Sequence, residues 1–165
     1  MNNNIKAREA LLKSVSGLSD EQLNKEVEEG KWTIAQVLEH LYLLEVDATR
    51  VIQETLLNNE NNPTKSKPVH LAVDRSHKVK AIEEWVPSNA YQTLENLKQK
   101  LTNSRDALVK SIQEVSEEDL DQKSLPHPAF GSLSINQWVS FIGYHEQRHI
   151  GQIEEIKEAL ESYNF

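Results

Sequence analysis

Two long segments of this chain repeat apolar residues at steps of three and four, the spacing that places side chains on one face of an α-helix. The apolar positions are Ile34, Val37, Leu41, Leu44, Ala48 and Ile52 in the first segment, and Ile135, Trp138, Val139, Ile142, Ile153, Ile156 and Leu160 in the second. Each segment begins with a capping-box sequence, Thr33–Gln36 or Ser134–Gln137, which marks a helix start. The pattern therefore predicts two long amphipathic helices, each burying one face against other helices.

A shorter motif precedes each of these helices. Leu18–Lys25 and Val115–Lys123 resemble each other in their serine, acidic and leucine residues. We interpret each half of the chain as a helix, a polar turn with a short helical piece, and a longer capped helix, which gives two αα-hairpins at Ile5–Leu57 and Tyr91–Leu160. The similarity fits both an internal duplication and a generic hairpin signature. On either interpretation, the sequence predicts an all-α four-helix bundle.

The segment that connects the two hairpins determines how the helices run. Asn58–Trp85 is long, and Pro87 just after it is expected to mark the first turn of the third helix. Short loops join antiparallel neighbours, whereas a connector of this length lets the second and third long helices run parallel. We therefore expect an up-down-down-up arrangement with a long crossover between helices 2 and 3.

The composition limits the number of domains, the cellular location and the partners that we expect for this chain. With 165 residues, of which 38% are hydrophobic and 27% charged, the chain suits one domain spanning residues 1–165. The first ten residues contain no apolar signal core, and the apolar runs are too short to span a bilayer, so we expect a cytoplasmic protein with no membrane partner. A net charge of −8 argues against nucleic acid as a partner, because phosphate binding needs a basic face. The chain contains no cysteine, so any thiol chemistry must use an external thiol.

Histidines lie on both apolar faces. His145 and His149 are four residues apart and continue the apolar series of the second long helix, so both rings face the core and can reach one ion. His40 lies on the apolar face of the first long helix. A single core histidine is more often a hydrogen-bonded packing residue, but several on facing surfaces favour a shared cation. The simplest constellation is one metal ion on His40, His145 and His149, with coordination positions left open as in catalytic sites.

The string His145–His149 has two other interpretations. It matches HExxH, the helix motif of zinc peptidases in which the glutamate is the general base, although those enzymes take a third ligand from downstream. Glu146 and His149 also form a Glu-x-x-His unit of the di-iron type, but the reciprocal unit is missing because Val37 stands three residues before His40. Glu146 is retained as a candidate catalytic residue that moves a proton near the metal.

The remaining candidate residues have competing interpretations. His127 either completes a closed, structural metal site or lies in a loop shaped by the prolines on each side of it. His70 and His77 in the crossover are expected to face solvent or to line a pocket mouth. Arg148, which is adjacent to a ligand position, forms an ion pair or a contact at the rim of the site. Four aromatic residues are either pocket walls or core packing: Trp32, Trp85, Trp138 and Phe130.

With the histidines placed, the chain resembles the DinB-like superfamily of metal-binding four-helix bundles, especially its YfiT-like branch. The resemblance spans nearly the whole chain and is carried by Gly30–Leu41, His127–Ser134 and His145–Ile153, with a weaker mark at Asp74–Pro87. It implies one divalent ion per chain, zinc in the first place and nickel or iron as other choices. Three histidines hold that ion in the family, and they correspond to His40, His145 and His149. The resemblance also implies a homodimer.

The superfamily includes S-transferases that join low-molecular-weight thiols to electrophiles, and proteins described as metal-dependent hydrolases. Our first hypothesis is therefore an open three-histidine site that activates a low-molecular-weight thiol for S-transfer to a small-molecule electrophile. The second is hydrolysis by metal-bound hydroxide, with Glu146 or a crossover residue moving the proton. The third is a non-catalytic, metal-stabilised bundle that binds a partner or ligand. The fold alone does not choose among these activities.

Overall fold

The computed structural model describes residues 1–162, and four long helices dominate this part of the chain. The α-helices and β-strands follow in the order α1 (Asn2–Val15), α2 (Asp20–Leu23), α3 (Ile34–Leu57), α4 (Leu94–Ile112), α5 (Glu117–Gln122), β1 (Ser124–His127), β2 (Gly131–Ser134) and α6 (Ile135–Ser162), and two 3-10 helices, Val69–Val73 and Glu83–Trp85, lie between α3 and α4. The last three positions of the predicted domain, 163–165, lie outside the described residues. No helix within residues 1–162 combines the length and the apolar content that crossing a membrane requires.

Polar contacts show that the long helices form two parallel pairs. Asn4 Nδ2 donates to the Val139 carbonyl at 2.8 Å, and further along the same two helices Arg8 Nη2 donates to Glu146 Oε1 at 2.6 Å, so α1 and α6 run in the same direction. The second pair is α3 and α4, in which residue 45 contacts residue 105 and residue 53 contacts residue 111. The long crossover therefore joins two parallel helices, as predicted.

The apolar core shows that the two pairs are antiparallel to each other. One core cluster combines the second half of α3 with the first half of α6, and the other combines the first half of α3 with the second half of α6. Since α3 and α6 run in opposite directions, the order of the long helices is up-down-down-up. The predicted four-helix bundle is confirmed.

The two predicted capping boxes differ in how completely they form. Thr33 Oγ1 accepts from the Gln36 backbone N–H at 3.1 Å, and Gln36 Oε1 accepts from the Thr33 backbone N–H at 2.9 Å, so this box is complete. Ser134 Oγ accepts from the Gln137 backbone N–H at 3.1 Å, but the Gln137 side chain bonds to the crossover at residues 66 and 67 instead. The second box is therefore only half formed, because the crossover competes for the glutamine.

The short helical pieces predicted before each long helix are present. Ser19 caps α2, and Ser116 caps α5 by accepting from the Asp119 backbone N–H at 3.1 Å. Each piece buries one leucine, Leu23 or Leu120, in the core. The two halves of the chain thus share the helix, short helix and long helix organisation that the repeated motif predicts.

The start of the third long helix was predicted wrongly. Pro87 lies in an irregular stretch that follows a short 3-10 helix at Glu83–Trp85, and α4 begins seven residues later, at Leu94. Thr93 is the residue that caps this helix, accepting from the Asn96 backbone N–H at 3.1 Å. A threonine cap supplies an acceptor for the free backbone N–H groups of the first turn, which a proline ring does not.

The segment around His127 is a β-hairpin rather than a loop, and it is the one departure from an all-α fold within the described residues. β1 and β2 pair antiparallel, with His127 opposite Gly131 at the turn. Gly131 has φ +73°, a conformation that glycine adopts without steric cost. The hairpin leads directly into α6, so it places His127 beside the first turns of that helix.

Two glycines of α6 give a matched test of how closely α1 packs. A Cβ at Gly143 would lie 2.9 Å from Asn4 Oδ1. A Cβ at Gly151 would lie 3.1 Å from the side chain of Arg75, but that side chain is exposed and can move. We expect Gly143→Ala to lower the free energy of unfolding by roughly 1–3 kcal/mol through overpacking. Gly151→Ala should be neutral or stabilising, since alanine favours a helix by about 1 kcal/mol. Urea denaturation measures both, and equal losses would contradict this account of the α1 contact.

Candidate metal centre

Three histidine rings converge where α3 crosses α6. His145 Nε2 lies 3.3 Å from His40 Nε2 and 3.1 Å from His149 Nε2, and one ligand atom from each ring falls within 4.8 Å of the others. The helix spacing brings His145 and His149 together, and the antiparallel packing of α3 brings His40 to meet them. The structure thus assembles the three residues that the sequence selects as metal ligands.

Hydrogen bonds orient two of the three rings. His40 Nδ1 lies 2.7 Å from the Trp85 carbonyl oxygen, and His149 Nδ1 lies 2.7 Å from Gln152 Oε1. Because both partners are oxygen acceptors, each Nδ1 carries the proton and donates it. The Nε2 atoms of His40 and His149 therefore point their lone pairs toward His145.

The arrangement of lone pairs fits a cation better than it fits hydrogen bonding among the rings. His145 Nε2 can donate a proton to one neighbour only, which leaves a second pair of nitrogen atoms facing each other at hydrogen-bond distance. In tetrahedral coordination with zinc-to-nitrogen bonds of about 2.0–2.1 Å, neighbouring nitrogens are about 3.3 Å apart. The two observed separations are close to that spacing.

Burial keeps the three rings neutral. Burial is the largest influence on the pKa of His40, which it lowers, and it lowers the pKa of His145 far below its ordinary value. Burial, reinforced by the neighbouring His40, lowers the pKa of His149 to about 3. Neutral imidazole is the form that binds metals, so the cluster is in the ligand form near neutral pH.

Gln152 gives a test of the ring orientation. Removing its acceptor by Gln152→Ala frees the His149 ring to rotate, and such partners of metal-bound histidines typically contribute roughly 10–100-fold to metal affinity. We expect a loss of zinc affinity in that range, measured by competition with a chelator. Gln99→Ala is the matched control, because Gln99 bonds to Asn103 on the exposed face of α4. Equal affinities in the two variants would show that Gln152 does not orient the ligand.

Aromatic rings enclose the histidine cluster. Trp32 lies 4.9 Å from His40 between ring centroids, and Phe141 stacks on His145 at 5.3 Å with an interplanar angle of 29°. Trp85 and Trp138 are buried and contact each other edge to face in the core. Of the four aromatic residues proposed as pocket walls, Trp32 is thus the one whose ring contacts a histidine of the cluster. Trp85 contacts the cluster through its backbone carbonyl, which accepts the hydrogen bond from His40.

Comparison with known proteins identifies the family. The sequence model of the DinB superfamily matches residues 5–153, which is most of the chain. This protein belongs to the DinB superfamily. Among curated relatives, the chain is 36% identical over 147 residues to "Uncharacterized protein YuaE" of Bacillus subtilis, covering 89% of this chain and 90% of that protein. It is 25% identical over 142 residues to "Putative metal-dependent hydrolase OB0413" of Oceanobacillus iheyensis, covering 86% of this chain and 73% of that one.

A solved structure supports the four-helix-bundle fold independently. The four-helix bundle protein TT2238 superposes with a TM-score of 0.64 at 22% identity, covering 93% of this chain and 94% of that one. At this identity the likeness concerns the fold alone. It agrees with the four long helices described above.

Glu146, the candidate catalytic residue of this DinB-superfamily chain, lies in a buried ion cluster on the side of α6 that faces α1 and α4. Its Oε1 accepts from Arg8 Nη2 at 2.6 Å and from Arg105 Nη2 at 2.9 Å. Glu45 shares the same two arginines, with Oε2 2.7 Å from Arg105 Nε, and it also accepts from the Ser104 hydroxyl. Burial raises the pKa of Glu146, and the two guanidinium groups oppose that rise. Its proposed part in proton transfer remains a prediction.

No pattern in the sequence predicts this ion cluster. Its four charged residues lie on four different helices, and nothing in their spacing links them. Two carboxylates and two guanidinium groups balance in charge, which makes their burial tolerable. Gln152, by contrast, is recoverable from the sequence, because it stands three residues after His149 on the same helix.

Arg148 links the crossover to α6 through hydrogen bonds. Its guanidinium donates to the carbonyl oxygens of Ala72 at 3.3 Å, Asp74, and His77 at 2.7 Å. It is therefore a contact at the rim of the site rather than half of an ion pair with a carboxylate. His70 and His77 have exposed side chains, as expected.

His127 is not part of the three-histidine cluster. Its Nδ1 accepts from the backbone N–H groups of Ala129 at 3.0 Å and Phe130 at 3.2 Å, so that lone pair is occupied and the proton sits on Nε2. A ligand nitrogen needs a free lone pair, which neither nitrogen of this ring offers. The structure thus favours an open three-histidine site over a site closed by His127.

Proposed function

We propose that this protein is a metal-dependent enzyme that activates a low-molecular-weight thiol for transfer to a small-molecule electrophile. The observation that carries the proposal is the convergence of three neutral imidazoles, with Nε2 separations of 3.3 and 3.1 Å about His145. Such a donor set suits a divalent ion, with zinc as our first choice, and leaves positions for a small molecule. The relative named as a metal-dependent hydrolase supports metal dependence.

A divalent ion held by these histidines would supply a Lewis acid that lowers the pKa of a bound thiol. The chain contains no cysteine, so the sulfur must come from a cosubstrate. In S-transfer the thiol releases its proton to solvent and the sulfur forms a bond to an electrophilic carbon. The electron pair displaced from that carbon departs with a leaving group or, in an addition to an unsaturated compound, takes up a proton. Trp32 and Phe141, packed against His40 and His145, limit the access of competing water.

The proposal is tested by the absorption spectrum of cobalt-substituted protein before and after addition of 2-mercaptoethanol. We expect a thiolate-to-cobalt charge-transfer band in the wild type, which requires an open coordination position. His145→Ala should lose the band, whereas His70→Ala, which removes an exposed histidine of the crossover, should keep it. 2-Methoxyethanol, which has no thiol, should leave every spectrum unchanged. A wild-type cobalt spectrum that does not respond to thiol would overturn the S-transfer proposal.

Hydrolysis is the second candidate, and the name of the Oceanobacillus iheyensis relative favours it. Water then replaces the thiol as the nucleophile. Glu146 Oε2 is buried and has no hydrogen-bond partner within residues 1–162, so it is the carboxylate atom free to accept a proton. Turnover of a nitrophenyl ester without thiol distinguishes this reaction from S-transfer.

A matched pair separates a chemical role of Glu146 from a structural one. Glu146→Gln and Glu45→Gln each remove one carboxylate charge from the same buried ion cluster. If Glu146 moves a proton, Glu146→Gln lowers kcat about 100-fold or more, a size typical of general-base catalysis. Glu45→Gln should then keep most of the kcat at a similar loss of stability. Equal losses of kcat would assign Glu146 to structure alone.

A further inference from the structure

His127 has a buried hydrogen-bond donor that no group among the described residues satisfies. Its side chain is 6% exposed, and Nε2 has no hydrogen-bond partner within residues 1–162. The two backbone N–H groups that bond to Nδ1 fix the tautomer, so the unpartnered atom is an N–H and not a lone pair. Leaving a buried donor without an acceptor is costly in free energy, so this N–H calls for a partner that residues 1–162 do not supply.

The surroundings of this N–H are aromatic. The His127 ring centroid lies 4.3 Å from that of Phe141, 4.7 Å from Trp138 and 5.2 Å from Phe130. Nδ1 bonds to the hairpin turn, and Nε2 is itself buried, so this N–H is not directed into open solvent. Phe130, half-buried at the turn, is the ring of this group nearest to solvent.

The same aromatic group leads to the three-histidine cluster. Phe141 contacts His127 on one side and stacks on His145 at 5.3 Å on the other. A molecule seated against Phe141 would therefore have the His127 N–H at one end and the histidine cluster at the other. The hairpin and α6, which are continuous in the chain, bring both ends together.

We propose that His127, Phe130, Trp138 and Phe141 form a subsite for the electrophile, in which the His127 Nε2–H donates a hydrogen bond to a carbonyl oxygen. A carbonyl suits the site better than a carboxylate, because the donor is neutral and a charge would be buried among apolar rings without a counterion. Planar aromatic walls suit an aromatic or unsaturated carbonyl compound. The proposal rests on the proposed function for its role in the reaction, while the hydrogen bond itself forms without metal.

Two features oppose protonation of the His127 ring: the ring is buried, and two backbone N–H groups already donate to its Nδ1. Burial lowers the pKa of His127 to about 4, so the ring stays neutral near pH 7. A neutral Nε2–H donates without adding a positive charge beside the metal ligands.

The test compares the binding of two probes by fluorine NMR, 4-fluoroacetophenone and 1-ethyl-4-fluorobenzene, which differ in the carbonyl oxygen. We expect the wild type to bind the carbonyl probe with an affinity roughly fivefold to tenfold higher than that of the other probe. This ratio corresponds to one hydrogen bond from a donor that otherwise has no acceptor. His127→Asn should abolish the preference, because the asparagine oxygen replaces Nδ1 as the acceptor for the turn while the Nε2–H is lost. His70→Gln, a change at an exposed histidine, should keep it.

Nitrogen NMR of histidine-labelled wild type supplies a measurement that needs no variant. The His127 Nε2–H resonance should shift on addition of 4-fluoroacetophenone and not on addition of 1-ethyl-4-fluorobenzene. Equal binding of the two probes, binding of neither, or a preference that survives in His127→Asn would overturn the proposal. Each titration is run with and without zinc, so that failure of zinc binding counts against the proposed function and failure of the carbonyl preference counts against this subsite.

Discussion

His145→Ala is expected to reduce zinc affinity by more than the roughly 10–100-fold that is typical of losing a residue that only orients a ligand. His145 is central to the cluster, since its Nε2 is within 3.3 Å of both other Nε2 atoms. Its removal leaves two nitrogen donors and a void beside Phe141. Competition titration with a chelator of known affinity measures the effect, with His40→Ala and His149→Ala expected to behave alike.

The control for the histidine series is His70→Ala, which should bind zinc as the wild type does. Zinc should also raise the free energy of unfolding of the wild type, by about 2.7 kcal/mol at a free zinc concentration 100 times Kd. The same addition should leave His145→Ala almost unchanged. If His145→Ala and His70→Ala bind zinc equally well, the three histidines are not the metal ligands.

Arg8→Met is expected to destabilise the fold more than any other substitution considered above. Arg8 donates to Glu45, to Glu146 and to the Leu101 carbonyl, so it ties α1 to three other helices. Its loss leaves two buried carboxylates to share Arg105. Removing one partner from a buried ion pair costs about 3–5 kcal/mol. For a chain of this length that corresponds to a fall in Tm of roughly 6–20 °C.

Arg50→Met is the matched control for this prediction. Arg50 pairs with Asp47 and Glu54 on the exposed side of α3, where water and salt screen the charges. Its substitution should leave the Tm almost unchanged. Differential scanning calorimetry of both variants, without metal, is the measurement. A Tm for Arg8→Met that matches that of Arg50→Met would show that the buried ion cluster does not hold α1 in the bundle.

The parts of the fold that were predicted correctly depend on local patterns. Apolar spacing and the Thr33 cap are properties of neighbouring residues, so they define α3 without reference to the rest of the chain. The same spacing places His145 and His149 on the core side of α6. Once the long crossover indicates the bundle order, His40 is the histidine on the facing helix, and the cluster follows.

The parts that were missed depend on contacts between distant residues or on the backbone. Arg8 and Glu146 are 138 positions apart, and their pairing emerges only when α1 lies along α6. The acceptor for His40 is the backbone carbonyl of Trp85. Every residue has a backbone carbonyl, so the sequence does not indicate which one His40 will bond to. Pro87 was misread as a helix start because proline is common at the first helical position, whereas Thr93 provides the cap.

We expect three histidines, and no fourth protein ligand, to hold the divalent metal ion. X-ray absorption spectroscopy of the zinc-loaded protein at the zinc edge reports these ligands directly. We predict three imidazole ligands at about 2.0–2.1 Å together with one or more light ligands that do not come from the protein, and a sulfur scatterer at about 2.3 Å after addition of 2-mercaptoethanol. Four imidazole ligands, or a zinc environment that does not change with thiol, would contradict the open site.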